Sequence, residues 1–327
     1  MTNKLDTQYP LWSRRKSTQA LTGTSSGDLR TEVAPRKPSR PWAEGPLCSW
    51  GMVTIVETAI GFIGAGNMAE ALIGGFRDAG LEGRQIVATN RNRRERLDHL
   101  RDAWGIVTTA DKGEVSAAVR TLILAVKPAD LDQAMRELRP HITDRHLIIS
   151  LLAGVKCASV ERYIGGAPVI RAMPNLSAAV LASTTALTYG RHAASADRAS
   201  ARSLFERVGH TVDVHEETMD AVTAVAGSGP AYVFLFIEAL IEAGVHAGLP
   251  ERAAKDLAVQ TVFGAAKLVK DTDGNPAELR RRVTSPGGTT MAALTVLEAR
   301  GFKMAVGDAV RQAIRRAGEL ASHKKSS

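Results

Sequence analysis

Between about residues 53 and 215 the apolar positions gather into short unbroken runs separated by amphipathic stretches. "AIGFIG", "QIVAT", "TLILAV", "HLIIS" and "PVIRAM" are the runs; "NMAEALIGGFRDAG", a charged stretch after Asn90 and a segment near 129–139 stand between them. Apolar runs without polar alternation belong to strands covered on both faces, and strand–helix alternation is how a parallel sheet obtains that cover. The pattern predicts an α/β fold, a doubly wound sheet over 53–215. "TTALTYG" and "HTVDVH" extend the sheet before the pattern changes.

Over 216–321 the period switches to three and four residues in "GPAYVFLFIEALIEAGVHAG", "ERAAKDLAVQTVFGAAKLVK", "PAELRRRV", "TMAALTVLEARG" and "FKMAVGDAVRQAIRRAGELASH". That period predicts helices throughout. The first run is apolar nearly all round, so it needs cover on more than one side. A partner subunit or a central place in a larger bundle would each supply it, and dimerisation is the simpler arrangement.

Residues 1–52 carry no periodicity and are rich in Ser, Thr, Pro, Gly and Arg, with Lys and Arg outnumbering Asp and Glu eight to four. They read as a disordered extension, as does the tail 322–327. Trp12, Trp42 and Trp50 are unusual in such a segment, and Met52 precedes the first strand. A start assigned too far upstream explains both; a functional tail is the other reading. The segment is Arg- and Ser-rich like a transit peptide, but lacks an amphipathic helix or an apolar signal core.

With 327 residues, 44% of them hydrophobic, the chain is long enough for two cores. Its net charge of +8 comes with only 5% aromatics and scattered arginines, which suits a basic surface or a site for small acids and argues against nucleic acid. Cys48 and Cys157 stand far apart without histidines at ligand spacing, so neither a disulfide framework nor a metal site is expected, and a reducing cytoplasm fits. No uninterrupted apolar stretch reaches the roughly 18 residues of a membrane span. "AYVFLFIEALIEAGV" is broken by Glu238 and Glu242, and the expectation is a soluble protein without a membrane partner.

In "AIGFIGAGNMAEALIGG", Gly64, Gly66 and Ala69 form G-x-G-x-x-A after a strand and at the opening of a helix. Gly64 permits the tight turn, Gly66 lets backbone approach a pyrophosphate, and Ala69 lets the helix pack on the sheet. The loop Gly64, Ala65, Gly66, Asn67 and Met68 is therefore a candidate dinucleotide site. At the end of the second strand, "ATNRNRRER" puts Asn90 and Arg91, then Arg93 and Arg94, where an NAD-selective site would carry an acid. Guanidinium groups grip a 2′-phosphate, so NADPH is the expected cofactor, with NADH also possible; Asn90 and Arg91, nearest the strand tip, are the candidates. "AVKP" ends the next central strand, where Ala125, Val126 and Lys127 line the same edge. Lys127 has two readings, an acid or a wall of the groove, and a lysine of ordinary pKa is a poor acid at neutral pH.

"VTSPGGTTM" (283–291) sets a proline, two glycines and two threonine hydroxyls at a helix start. It can hold a small anion, or be a capped bend. Taken with "GFIGAGNM", "AVKP", "RAMPN" and "GSGPAYVF", in this order from about 58 to 321, it makes the chain resemble the pyrroline-5-carboxylate reductases. The resemblance implies a Rossmann-type domain followed by an all-helical dimerisation domain, a homodimer or an oligomer of dimers, and NAD(P)H-dependent reduction of 1-pyrroline-5-carboxylate to L-proline. It implies that Ser285 and the amides of Gly287, Gly288 and Thr289 hold the substrate carboxylate, and that Thr290 hydrogen-bonds the ring nitrogen. It adds Glu216 near the substrate and, with less weight, Asp273. On the cofactor side it adds Leu151, Ala153 and Asn175. The chain departs from the family in "LRRRVTSPGG", where Arg281 and Arg282 replace acidic and amide residues. A β-hydroxyacid dehydrogenase is the rival reading, but the helix beginning "GSGPAYVFLFIEAL" lacks its lysine, the next being Lys255. A cofactor sensor without catalysis is the third; it has no need of an anion cradle.

Overall fold

The computed structural model describes residues 59–91 and 93–322. The expected extension with its tryptophans and Cys48, and the tail from 323, lie outside the described residues. Strand β1 (Ile60–Ile63) leads to helix α1 (Asn67–Asp78), β2 (Ile86–Thr89), α2 (Arg94–Trp104), β3 (Val107–Thr109), α3 (Lys112–Ala118) and β4 (Thr121–Leu124). Next come α4 (Leu131–Leu138), β5 (Leu147–Ser150), α5 (Cys157–Ile164) and β6 (Val169–Met173). Two further strands, β7 (Ser183–Tyr189) and β8 (Gly209–Asp213), flank α6 (Ser195–Glu206).

The strands form one sheet in the order β3-β2-β1-β4-β5-β6-β7-β8. Pairing is parallel from β3 through β6, then antiparallel between β6 and β7, with Ile170 opposite Tyr189, and parallel again between β7 and β8. The reversal was not expected from the alternating pattern. It arises because a short link rather than a crossover helix joins β6 to β7, and only antiparallel neighbours can be joined so briefly. β3 was also unforeseen: three residues at an exposed edge leave no apolar run to see.

Side-chain alternation along each strand divides the core into two layers. Phe62 of β1 and Ile86 of β2 pack with Leu72 and Phe76 of α1, Leu100 of α2 and Phe205 of α6. On the other face Ile63 packs with Val115 of α3, Met135 of α4 and Val160 of α5. Strand order reverses between β1 and β4, whose carboxyl ends open a crevice where ligands of such sheets bind.

After β8 every element is helical: α7 (Met219–Val222), α8 (Gly229–His246), α9 (Glu251–Thr272), α10 (Pro276–Arg282), α11 (Thr289–Ala299) and α12 (Phe302–Ser322). A π-helical turn, Thr223–Gly227, links α7 to α8. The run Glu216–His246 is long and apolar enough by length and composition to cross a membrane, with mean hydropathy 1.7. This corrects the expectation that no stretch would qualify: Glu238 and Glu242 interrupt the apolar sequence without lowering its average enough. None of α8 is buried within the chain, so it is not the centre of an intrachain bundle. Leu235 is 67% exposed, and Phe263 of α9, Val296 of α11 and Met304 of α12 are likewise more than half exposed. A soluble monomer rarely leaves so many large apolar side chains in water.

Close packing at Gly75 in α1 yields a test. Glycine inside a helix ordinarily costs about 1 kcal/mol relative to alanine. Here an added Cβ would stand 2.2 Å from Ala178 O and 2.9 Å from Val208 Cγ1. Gly75→Ala is therefore expected to lower unfolding free energy by roughly 1–3 kcal/mol in urea titration; a gain in stability would show that the Leu176–Val180 turn does not press on α1.

Candidate active site

At the end of β1 the chain turns through Gly64, whose φ is +108° and whose Cβ, if present, would lie 2.6 Å from Ala125 O. Gly64 N donates to Thr89 O at 2.9 Å and Ala125 N to Ile63 O at 2.9 Å, so the turn is tied to the neighbouring strand ends. Gly66 differs: a Cβ there would meet nothing within 4 Å. Space, rather than packing, adjoins its backbone, and the first turn of α1 has no side-chain cap. Unpaired helix-start amides beside an open backbone can take a phosphate. Ala69 is fully buried beneath the turn, as helix-to-sheet packing requires.

A cleft of about 310 Å³ runs along this loop. Ala65, Asn67, Asn90 and Arg91 line it with the two glycines, and Ala125, Val126 and Lys127 form the facing wall. Met68 turns away and packs against the core. Arg93 lines the cleft, but Arg94 does not and is exposed. The sequence reading missed Arg96, whose Nε donates to Ala65 O at 3.0 Å and whose Nη2 donates to Asn67 Oδ1 at 3.2 Å and pairs with Glu70. His99 Nε2 lies 2.9 Å from the other Glu70 oxygen. Arg96 thus braces the glycine loop from α2. It also missed Lys112, Gln133 and Glu137, which line the cleft from α3 and α4 and which only topology brings near Arg91. The residues fit a dinucleotide phosphate group: Gly66 leaves a cradle, cations rim it, and Thr89 Oγ1 is buried in the lining without a hydrogen-bond partner.

Leu151, Ala153, Asn175 and Glu216 are not in the cleft lining. Leu151 packs on the sheet core and Ala153 against the cluster of Met173, Ala186 and Met219. Asn175 is no plain turn residue. Its Oδ1 accepts from Ser177 N at 3.1 Å, and its Nδ2 donates at 3.0 Å to Ala226 O in the π turn. Glu216 accepts from Cys157 N at 3.0 Å and lies 3.5 Å from Arg171 Nη1. Arg171, 2% exposed, also lies 3.6 Å from Asp220, while its Nε and Nη2 make no hydrogen bond. A charged residue inside the apolar run "PVIRAM" was the visible sign of this junction. Arg171 and Asn175 join the sheet to the helices that follow it.

The Ser285–Thr290 segment lies at the start of α11, and none of it lines the cleft. Gly287 has φ +70°, a region that favours glycine. Gly288 is the N-cap, with no side-chain cap bond on the helix. Its N–H donates to Ser285 O at 3.1 Å, and a Cβ on it would stand 2.4 Å from Ser285 Oγ. The turn is therefore compact, its Gly288 amide is engaged, and the helix-start amides that follow lack a cap. Asp273 ends α9 in a left-handed conformation, φ 48°, exposed. Arg281 and Arg282 pair with Glu278 at 3.8 and 3.1 Å rather than with the cleft.

Two family models match the chain. Residues 59–154 match the family described as NADP oxidoreductase, coenzyme F420-dependent, and residues 216–320 match pyrroline-5-carboxylate reductase dimerisation. A pyrroline-5-carboxylate reductase of Synechocystis is 42% identical over 80% of this chain and 97% of its own length. Pyrroline-5-carboxylate reductase 2 of Bacillus subtilis is 40% identical over 80% of this chain and 94% of its own. The chain is also similar to the crystal structure of Plasmodium falciparum pyrroline carboxylate reductase with NADP bound, at TM-score 0.74 and 28% identity, covering 83% of this chain and all of that one.

The junction makes two predictions. Arg171→Met leaves Glu216 and Asp220 without their cation and should cost about 3 kcal/mol of stability; a cost near zero in denaturant titration would show that the junction does not depend on the pair. Burial, and then the charge of Glu216, push the Cys157 thiol up to about 12 from an ordinary 9.0. Between these values the unfolded chain releases a proton that the folded chain keeps, so this group's contribution to stability falls as pH rises through that window. In a Cys48→Ser background iodoacetamide at pH 8 should label Cys157 only after unfolding; rapid labelling of folded protein would contradict the burial.

Proposed function

This chain belongs to the pyrroline-5-carboxylate reductase family, and from that premise we propose how its own residues carry the reaction. It reduces 1-pyrroline-5-carboxylate to proline using a nicotinamide cofactor. The reduced nicotinamide supplies a hydride to the imine carbon. Everything else falls to the protein: binding, alignment and the state of the nitrogen.

On this reading Gly64, Ala65, Gly66 and Asn67 hold the pyrophosphate, with Met68 and Ala69 seating the helix behind them. Asn90, Arg91 and Arg93 receive the 2′-phosphate, which favours NADPH over NADH. Ala125, Val126 and Lys127 shape the groove toward the nicotinamide end, where Leu151, Ala153 and Asn175 stand. Asn175 acts as a positioning residue, because both ends of its amide are engaged with Ser177 and Ala226. Glu216 is anchored through Oε1 by Cys157 and Arg171, and its other carboxylate oxygen is the one offered to the substrate.

The substrate carboxylate sits on Ser285, Gly287 and Thr289, at the uncapped start of α11, where amides and helix dipole favour an anion. Gly288 contributes room, since any side chain there would collide with Ser285. The Thr290 hydroxyl accepts a hydrogen bond from the protonated ring nitrogen, which holds the iminium in place while its π electrons move onto nitrogen. The proton is present before reduction, so no separate side-chain acid is required. A reacting carbon must lie within about 3–3.5 Å of its hydride donor, so alignment is the main contribution of the chain.

The observation that carries this reading is the separation of the two half-sites. Within one chain the cofactor cleft has none of Ser285–Thr290 in its lining, and the helices bearing that loop expose a broad apolar face. A homodimer covers that face and brings the partner's loop over the cleft. It also accounts for the hydropathy of Glu216–His246 without a membrane. A reducing cytoplasm suits the reaction.

NADPH oxidation on adding pyrroline-5-carboxylate, run beside NADH, tests the assignment. Thr290→Ala is expected to lower kcat about 10- to 100-fold with little change in NADPH affinity. Arg91→Ala should raise the NADPH KM about tenfold and leave that for NADH nearly unchanged. Identical profiles for the two variants would overturn this division of roles.

A further inference from the structure

At the end of the cleft lined by Asn90 and Arg91, two cations are linked to one carboxylate, Lys112 directly and Arg91 through Gln133. Lys112, at the start of α3, places Nζ 2.5 Å from Glu137 Oε2, and its side chain is only 12% exposed. Gln133 Nε2 donates to Glu137 Oε1 at 3.0 Å, and Arg91 Nη1 donates to Gln133 Oε1 from across the cleft. All four side chains belong to the lining. The Glu137 carboxyl is held below the usual carboxylate range, first by its hydrogen bond from Lys112, then by Gln133 and by the charges of Lys112 and Arg91. The other cation braced at this cleft, Arg96, already has Glu70.

We propose that Glu137 is an internal counter-anion, which holds Lys112 and, through Gln133, Arg91 before cofactor binds and which the 2′-phosphate of the cofactor displaces. This rests on the reading of Asn90–Arg93 as the 2′-phosphate end and adds Glu137 as the residue that sets the strength of the discrimination. A phosphate offers more acceptor oxygens and more charge than a carboxylate, so it replaces Glu137 on Lys112 and Gln133 on Arg91 without leaving either cation unpaired. A ligand lacking that phosphate leaves the Lys112–Glu137 pair as it is. Glu137 therefore weakens 2′-phosphate binding without affecting an unphosphorylated ribose, and keeps the long cationic side chains ordered between turnovers.

Binding of 2′,5′-ADP and of 5′-AMP, measured by calorimetry on the full chain, separates the possibilities. Glu137→Gln, at a 40% exposed side chain, keeps the shape and removes the charge. It should tighten 2′,5′-ADP about three- to tenfold and leave 5′-AMP unchanged, while Lys112→Met should weaken 2′,5′-ADP about tenfold. In the double variant the gain from Glu137→Gln should largely disappear, since the cation it releases is gone. If wild type prefers 2′,5′-ADP but Glu137→Gln leaves the ratio of the two ligands unaltered, the counter-anion is overturned and the cofactor reading stands. If wild type binds both ligands equally and Glu137→Gln creates a preference, the NADPH reading fails and the counter-anion stands.

Discussion

The structure depends on one constraint: its helical half cannot cover its own apolar surface. α8 is apolar nearly all round and buries no residue within the chain, and α9, α11 and α12 also expose large apolar side chains. Water does not tolerate such a face on an isolated molecule. Its pairing with a second copy is therefore part of folding, and whatever that pairing brings together can be part of the active site. The loop at the start of α11 is carried on this surface. The requirement to bury leucine and phenylalanine thus also determines where that turn comes to rest.

The sheet half solves a different problem, since its two layers of core are complete within one chain. Its carboxyl edge can hold Gly64 in a conformation few residues adopt and leave space at Gly66. Cations that would repel one another are each given a carboxylate: Arg96 has Glu70, and Lys112 has Glu137. Between the halves, Arg171 reaches Glu216 and Asp220 while Asn175 bonds the π turn. These few side chains tie the end of the sheet to the first helical turns that follow it.

Much of this was legible in the sequence because it is local. Unbroken apolar runs marked the buried strands, and the G-x-G-x-x-A spacing marked the turn. What was lost was non-local. β3 is too short and exposed to leave a run, and the reversal at β7 follows from a link whose geometry the pattern does not encode. Arg96 reaches the glycine loop because β1 and β2 are neighbours, and Lys112 reaches Glu137 because α3 packs beside α4. Glu216 is held through Oε1 by Cys157 and Arg171, which are 59 and 45 positions away in the chain, and only the fold shows these contacts. Arg171 also went unread, although an arginine in the middle of a buried strand must find carboxylates.

The claim that each active site draws on two chains can be tested by mixing two inactive proteins. Gly66→Val fills the open side of the phosphate turn, and Ser285→Asp sets a negative charge on an exposed loop that should receive a carboxylate. Neither homodimer should turn over substrate. Co-expressed in equal amounts, half of the dimers would be mixed, each with one undamaged site, and about a quarter of wild-type activity should return. No recovery in mixtures shown to contain mixed dimers would mean that cleft and loop work within a single chain, and would contradict a site shared between subunits.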